Sequence, residues 1–155
     1  MTSSPTIAID QFFPYQPAHV WRALTDPDLL ARWLMPNDFQ LKVGHRFTFK
    51  GTPMPQVNFS GIVQCEVLNF EIERTLSYSW MDHSGENDLR STVIWRLEPE
   101  GQGTHLFLEH SGFDPAHPLH QLSYRIMSGG WGRLVRQLGE TLAADGNVPT
   151  STDNT

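Results

Sequence analysis

The apolar residues near the N-terminus indicate one strand followed by two short helices. Residues 6–12 partly alternate between apolar and polar positions, and a nearby proline closes the run, which predicts a first strand. Pro17 and Pro27 each suit the first turn of a helix, and an apolar stripe with a helical period follows both of them. Asp26 is placed to cap the second helix, and Pro36 is expected to end it.

Between Phe39 and Ser111 the apolar side chains alternate with polar ones, as in strands that bury one face. Turn-forming segments at residues 51–55, 84–87 and 99–103 separate the runs, so neighbouring strands are expected to form antiparallel hairpins. The positions that share the inward parity are Phe47, Phe49, Phe59, Val63, Cys65, Val67, Leu76, Tyr78, Trp80, Val93, Trp95, Leu97, Leu106, Leu108 and His110.

A helical period returns after Pro118 and continues for about five turns. Its stripe consists of Leu122, Ile126, Gly130, Leu134, Leu138 and Leu142. Since no other element is long enough to cover the apolar face of the sheet, this helix must do so. The pattern predicts an α+β fold in which a curved antiparallel sheet of six to seven strands wraps around a long C-terminal helix, with two short helices after strand 1.

The length of 155 residues fits one domain, which we expect to cover residues 6–144. Residues 1–5 and 145–155 are mostly small or polar and are expected to be disordered ends. The first strand is expected near an exposed sheet edge, where pairing in a homodimer is one option.

The charge and the single cysteine narrow the class of protein. A net charge of −6 argues against nucleic acid or an anionic membrane surface as a partner. No apolar stretch approaches the roughly 18 residues of a membrane span, and no leader pattern precedes the first strand, so we expect a cytoplasmic protein without membrane insertion. Cys65 has no partner for an internal disulfide and, among valines, is expected to be an inert buried thiol.

A helix laid across a bent sheet leaves a space lined by inward strand positions and the helix stripe. The apolar wall of such a cavity is expected to consist of Phe47, Phe49, Phe59, Val63, Trp80, Trp95, Met127 and Trp131. For each of these residues the alternative is simple packing in the core.

Two polar residues, Tyr78 and His110, share the inward parity and are candidate anchors for a ligand oxygen. The alternative is a satisfied core arrangement, with His110 bonded to a backbone carbonyl or to Tyr78. An enzyme would use His110 as the base and Tyr78 as electrophilic support. No inward carboxylate is expected beside them, because the nearby acidic residues fall on the solvent parity: Glu66, Glu71, Glu73 and Glu109.

Neither a metal nor another cofactor is expected. His117 and His120 are three residues apart, but Pro118 places the first before the helix and no third ligand lies nearby. Glycines 129, 130 and 132 each cost about 1 kcal/mol in a helix relative to alanine. We expect them to let the helix approach the sheet closely; a softened helix that opens a pocket is the alternative.

Several segments resemble a known family. They are Val20 to Pro27 with Leu30 and Trp33, Phe59-Ser60-Gly61, Leu76 to Trp80, Thr104 to Gly112, and Gly130-Trp131 with Leu134 and Leu138. They resemble the domain named after the activator of the ninety-kilodalton heat-shock chaperone's ATPase, in the START-like, polyketide cyclase and lipid-transport (SRPBCC) superfamily. The resemblance extends from Thr6 to Leu142 and implies a helix-grip fold with a cavity between sheet and helix.

The resemblance leaves three functions open. We expect binding of a small hydrophobic or aromatic molecule, such as a lipid, without turnover. A cyclase or dehydratase using His110 and Tyr78 is the second, and a chaperone-associated interaction domain in a stress response is the third. The chain before Thr6 is too short for the chaperone-binding domain of the eukaryotic activator, so the third is expected least.

Overall fold

The computed structural model describes residues 5–84 and 89–150, the last five of these by their helical backbone alone. The predicted turn at residues 84–87 therefore lies almost wholly outside the described residues, as do residues 1–4 and 151–155. The elements are β1 (Ile7–Phe13), α1 (Pro17–Thr25), α2 (Pro27–Trp33), β2 (Arg46–Lys50), a 3-10 turn (Pro55–Val57), β3 (Ile62–Glu71), β4 (Thr75–Asp82), β5 (Arg90–Glu100), β6 (Gly103–Ser111) and α3 (Pro118–Thr150).

The two short helices begin as predicted. Pro17 and Pro27 occupy their first turns, where a missing N–H leaves no hydrogen bond unmade. The Asp26 carboxylate accepts hydrogen bonds from the backbone N–H groups of Asp28 and Leu29, at 2.9 and 3.3 Å. This cap satisfies donors that the first turn of α2 cannot pair internally.

Six strands form one antiparallel sheet in the order β1-β6-β5-β4-β3-β2 within the described part of the chain. Every neighbouring pair is antiparallel, and on the inner face Tyr78 lies opposite Val93, which lies opposite His110. Strand residues with the inward parity are buried from β2 to β6. The α+β fold, with one sheet and a long C-terminal helix, is therefore confirmed.

Helix α3 contacts the rest of the domain unevenly. Its second half buries Val135, Leu138 and Leu142 in the core that α1, α2 and β1 share. In its first half, stripe residues such as Leu122 and Ile126 remain half-buried. The helix therefore seals one end of the sheet and stands further from the other end.

The backbone of α3 passes the domain boundary predicted at residue 144 and continues to Thr150. Asp145 explains part of this extension, because its carboxylate lies 3.3 Å from the Arg22 guanidinium and 3.6 Å from Nε2 of His19. These contacts hold the helix against α1 beyond its last buried leucine. No helix in the described residues is both long and apolar enough to cross a membrane.

Candidate functional site

A cavity of about 420 Å³ lies between the first half of α3, the end of α2, strands β3 and β4, and the loop at residues 51–61. This volume is within the range of sites for small organic ligands. The lining is mainly apolar and consists of Leu34, Met35, Gly51, Thr52, Met54, Val57, Phe59, Val63, Trp80, Ser123, Ile126, Met127, Gly130, Trp131, Arg133 and Leu134.

Five residues predicted from the sequence line this cavity: Phe59, Val63, Trp80, Met127 and Trp131. Two strands, the loop before β3 and the helix supply them. The indoles of Trp80 and Trp131 pack together, with ring centroids 5.4 Å apart. Contact of these side chains with a ligand stays a prediction.

The other five predicted residues do not line the cavity: Phe47, Phe49, Tyr78, Trp95 and His110. They face inward as expected but are fully buried beneath other side chains. The Trp95 ring, for example, is covered by Trp33 and by Trp131, with ring centroids 5.8 and 5.7 Å apart. Strand parity selects the face of a sheet, but helix placement decides which part of that face stays uncovered.

A buried hydrogen-bond chain joins α3 to the sheet beside the cavity. The indole Nε1–H of Trp131 donates to Nδ1 of His110 at 3.0 Å, and Nε2 of His110 lies 2.8 Å from the Ser91 hydroxyl. The Ser91 hydroxyl donates to the backbone carbonyl of Trp80 at 2.7 Å. Since Nδ1 accepts, the proton of the neutral imidazole is on Nε2, which donates to Ser91.

The partners predicted for His110, a backbone carbonyl or Tyr78, are wrong, because Ser91 and Trp131 occupy both ring nitrogens. Burial lowers the pKa of His110 to about 3, so the imidazole is neutral near pH 7. Its basic lone pair is already engaged by the Trp131 N–H. His110 therefore has no free site for a substrate proton in this arrangement.

The hydroxyl group of Tyr78 is also hydrogen-bonded within the core. Its hydroxyl oxygen accepts a hydrogen bond of 2.9 Å from the indole N–H of Trp95. Burial raises the pKa of Tyr78 well above its usual value, and burial likewise raises the pKa of the nearby Cys65 thiol. Both groups are therefore protonated near pH 7, and neither lines the cavity.

The free energy of unfolding is expected to fall on acidification because of His110. Its pKa is about 3 in the folded protein and 6.5 ordinarily, so between these values the unfolded chain binds the extra proton. The contribution is complete above pH 6.5 and decreases below it by up to about 1.4 kcal/mol per pH unit. Urea unfolding between pH 4.5 and 6.5 measures this slope.

His110→Gln is the matched variant, because a glutamine amide can still accept from Trp131 and donate to Ser91 without titrating. It should lose most of the slope. His105→Gln is the control, since hydrogen bonds from the imidazole to Asp10 and Glu100 raise the pKa of His105, and its stabilisation therefore grows on acidification. An unchanged slope in His110→Gln would contradict the prediction.

The expectation that no carboxylate faces inward is wrong. Asp82 is 3% exposed and continues the alternation of Tyr78 and Trp80 at the end of β4, a signal present in the sequence. One carboxylate oxygen accepts from the backbone N–H and hydroxyl of Ser60, at 2.7 and 2.8 Å. The other accepts from the backbone N–H of Ser84 at 2.9 Å and from its hydroxyl.

The Asp82 carboxylate has a structural role. Although burial opposes its ionisation, the hydrogen bonds from Ser84 and Ser60 together hold the pKa of Asp82 below its usual value. Asp82 therefore fastens the loop at residues 51–61 to the end of β4. That loop forms one rim of the cavity.

The predicted close approach at the helix glycines is also wrong. A Cβ atom at Gly129, Gly130 or Gly132 would meet no atom of the rest of the protein within 4 Å. Gly130 lines the cavity, so the missing side chain leaves ligand space instead of allowing tight packing. This follows from the greater distance of the first half of α3 from the sheet.

The histidine pair at the start of α3 makes local contacts. The rings of His117 and His120 stack with centroids 4.1 Å apart, and Nδ1 of His120 accepts from the Asp114 N–H at 3.0 Å. The described residues contain no cluster of three or more side chains suited to a metal ion.

Residues 14–143 match the family described as "Activator of Hsp90 ATPase homolog 1-like protein". The crystal structure of protein MLL2253 from Mesorhizobium loti is 37% identical with a TM-score of 0.78, covering 90% of this chain and 98% of that one. None of the curated proteins matches the sequence.

Two further solved structures have the same fold. Protein BH1534 from Bacillus halodurans is 27% identical with a TM-score of 0.71, covering 92% of this chain and 99% of its own. CalU16 from Micromonospora echinospora is 26% identical with a TM-score of 0.71, covering 92% of this chain and 78% of its own.

Proposed function

Since the chain belongs to the family of activator of Hsp90 ATPase homolog 1-like proteins, in the START-like superfamily, we propose that it binds a small hydrophobic or aromatic molecule without converting it. The cavity under α3 carries this proposal. It combines about 420 Å³ of space with indole, phenyl and thioether walls, the surroundings that favour an apolar ligand.

Binding fits this cavity better than catalysis. A general base needs a free lone pair within reach of the substrate proton. Both nitrogens of His110 are hydrogen-bonded, and neither His110 nor Tyr78 lines the cavity. The carboxylate of Asp82 does not line it either. A cyclase or dehydratase would need these groups to rearrange. The third function, contact with a chaperone, stays a prediction.

Gly130→Leu tests the proposal with little risk to the fold. The new side chain enters open cavity space, and loss of a helix glycine is itself favourable by up to about 1 kcal/mol. Gly129→Leu is the matched control, because Gly129 is exposed and does not line the cavity. We expect Gly130→Leu to lose the ligand and Gly129→Leu to retain it.

The measurement is native mass spectrometry of the purified proteins, followed by a fluorescence titration with 1-anilinonaphthalene-8-sulfonate. A co-purifying compound should be present in the wild type and in Gly129→Leu only. In the titration, Gly130→Leu should bind at least about tenfold more weakly, a loss of about 1.4 kcal/mol. A folded Gly130→Leu protein that binds like the wild type would refute the proposal.

A further inference from the structure

Arg133 is the single charged side chain that lines the cavity among the described residues. It is exposed at the mouth and forms no ion pair in that part of the chain. Its neighbours three and four positions away on α3 are Gly129, Gly130, Arg136 and Gln137, so no carboxylate lies within one helical turn of it.

The local charge around the mouth differs from that of the whole protein. The chain has a net charge of −6, yet residues 115–139 contain three arginines and no aspartate or glutamate. The opposite rim, residues 51–61, contains no charged residue. The mouth therefore presents one positive group beside a mainly apolar lining.

Ser123 is a second polar group in the lining of the cavity. Its side chain is 2% exposed and lines the cavity. A hydroxyl both donates and accepts hydrogen bonds, so Ser123 can pair with a polar group of a ligand in the cavity.

From this arrangement, and resting on the proposed binding function, we infer that the ligand is an amphipathic carboxylic acid with a second polar group at its far end. The carboxylate pairs with Arg133 at the mouth, the apolar body lies along Met127 and Trp131, and the distal oxygen hydrogen-bonds to Ser123. The two polar residues are ten positions apart, a rise of about 15 Å along the helix. The Arg133 side chain leans toward the N-terminus of the helix and covers part of this distance, so an elongated molecule of the size of a disubstituted naphthalene can bridge the two groups.

A set of four naphthalene probes separates these contacts: 6-hydroxy-2-naphthoic acid, its methyl ester, 2-naphthoic acid and methyl 2-naphthoate. Isothermal titration is carried out with the wild type, Arg133→Gln, Ser123→Ala and Gly130→Leu. Arg136→Gln is the matched control, because it makes the same charge change three residues away without touching the cavity lining.

The wild type should prefer each acid over its ester by at least about tenfold, as expected for a charge-assisted hydrogen bond. Arg133→Gln should abolish this preference, whereas Arg136→Gln should keep it. The 6-hydroxy group should strengthen binding to the wild type severalfold, and Ser123→Ala should remove that gain while the acid preference persists.

Acids and esters that bind the wild type equally, with all binding lost in Gly130→Leu, would overturn the inferred ligand class and leave the proposed function standing. A preference that Arg133→Gln and Arg136→Gln reduce to the same extent would also overturn it. The preference would then come from the summed positive charge of α3 and not from one contact with Arg133. Binding that Gly130→Leu leaves unchanged would overturn both proposals. Absence of binding by every probe would overturn the inferred ligand class.

Discussion

Replacement of Trp131 by alanine is expected to lower the free energy of unfolding by about 4–8 kcal/mol. Truncation of a buried indole costs about 3–5 kcal/mol through lost burial and the cavity that remains. Trp131 is 2% exposed and packs on Trp80 and Trp95. Its N–H is also the partner of Nδ1 of His110, and an unpaired buried acceptor adds about 1–3 kcal/mol.

Urea denaturation with a tryptophan-independent probe, such as far-ultraviolet circular dichroism, measures this loss. Trp131→Phe is the matched variant, because it keeps an aromatic ring and removes only part of the volume and the N–H donor. It should cost about 1–3 kcal/mol. A loss below about 2 kcal/mol in Trp131→Ala would show that the indole does not contribute to the core packing.

Trp131 is consequently a poor position at which to test ligand binding. Loss of a ligand in Trp131→Ala could follow from a loosened domain, since natural domains have only about 5–15 kcal/mol of stability. Gly130→Leu occupies the same cavity without removing any packed atom. The helix thus places a residue that packs in the core and a residue that borders open cavity space side by side.

Replacement of Asp82 by alanine should have the second large effect, about 2–4 kcal/mol of lost stability. The carboxylate accepts four hydrogen bonds from Ser60 and Ser84, and bonds to charged groups contribute about 1.5–3 kcal/mol each when buried. Both serines are exposed, so water replaces part of what is lost. Denaturant unfolding at pH 7 gives the value.

The same change should loosen the cavity rim, and amide hydrogen exchange reports this directly. The Ser60 N–H should exchange much faster in Asp82→Ala than in the wild type. Exchange at Val93 in the sheet centre should become faster only by the factor that the loss of global stability accounts for. Ser60→Ala is the control that removes one side-chain donor and keeps the carboxylate. Unchanged exchange at Ser60 in Asp82→Ala would contradict a fastening role for Asp82.

The alternation of positions along the strands predicted which side chains are buried near the site better than the residue types did. The parity of β4 places Tyr78 and Trp80 inward, and both side chains are buried. The same parity reaches Asp82, which was missed because a carboxylate at a strand end is ordinarily a solvent-exposed residue. Its four donors come from residues 60 and 84, and only the folded chain brings residue 60 to it.

The partners of buried polar groups could not be read from the sequence. His110 and Trp131 are twenty-one residues apart and lie on different elements, so their hydrogen bond depends on how α3 crosses the sheet. Tyr78 pairs with Trp95 across adjacent strands for a similar reason. Sequence patterns indicate that such groups are inside, whereas pairing depends on distances that the fold sets.

The sequence by itself determined the order of the elements, the inward face of the strands and the single long covering helix, because these follow from local periods of two and 3.6 residues. The Asp26 cap of α2 also followed from the residue type and its place before Pro27. Only the tertiary structure decided where the covered face remains open. Helix α3 lies close to the sheet at Leu138 and Leu142 and stands away from it at Gly130. That distance results from the packing of α1, α2 and β1 against one half of the helix, a non-local balance of contacts that no residue pattern along the chain records.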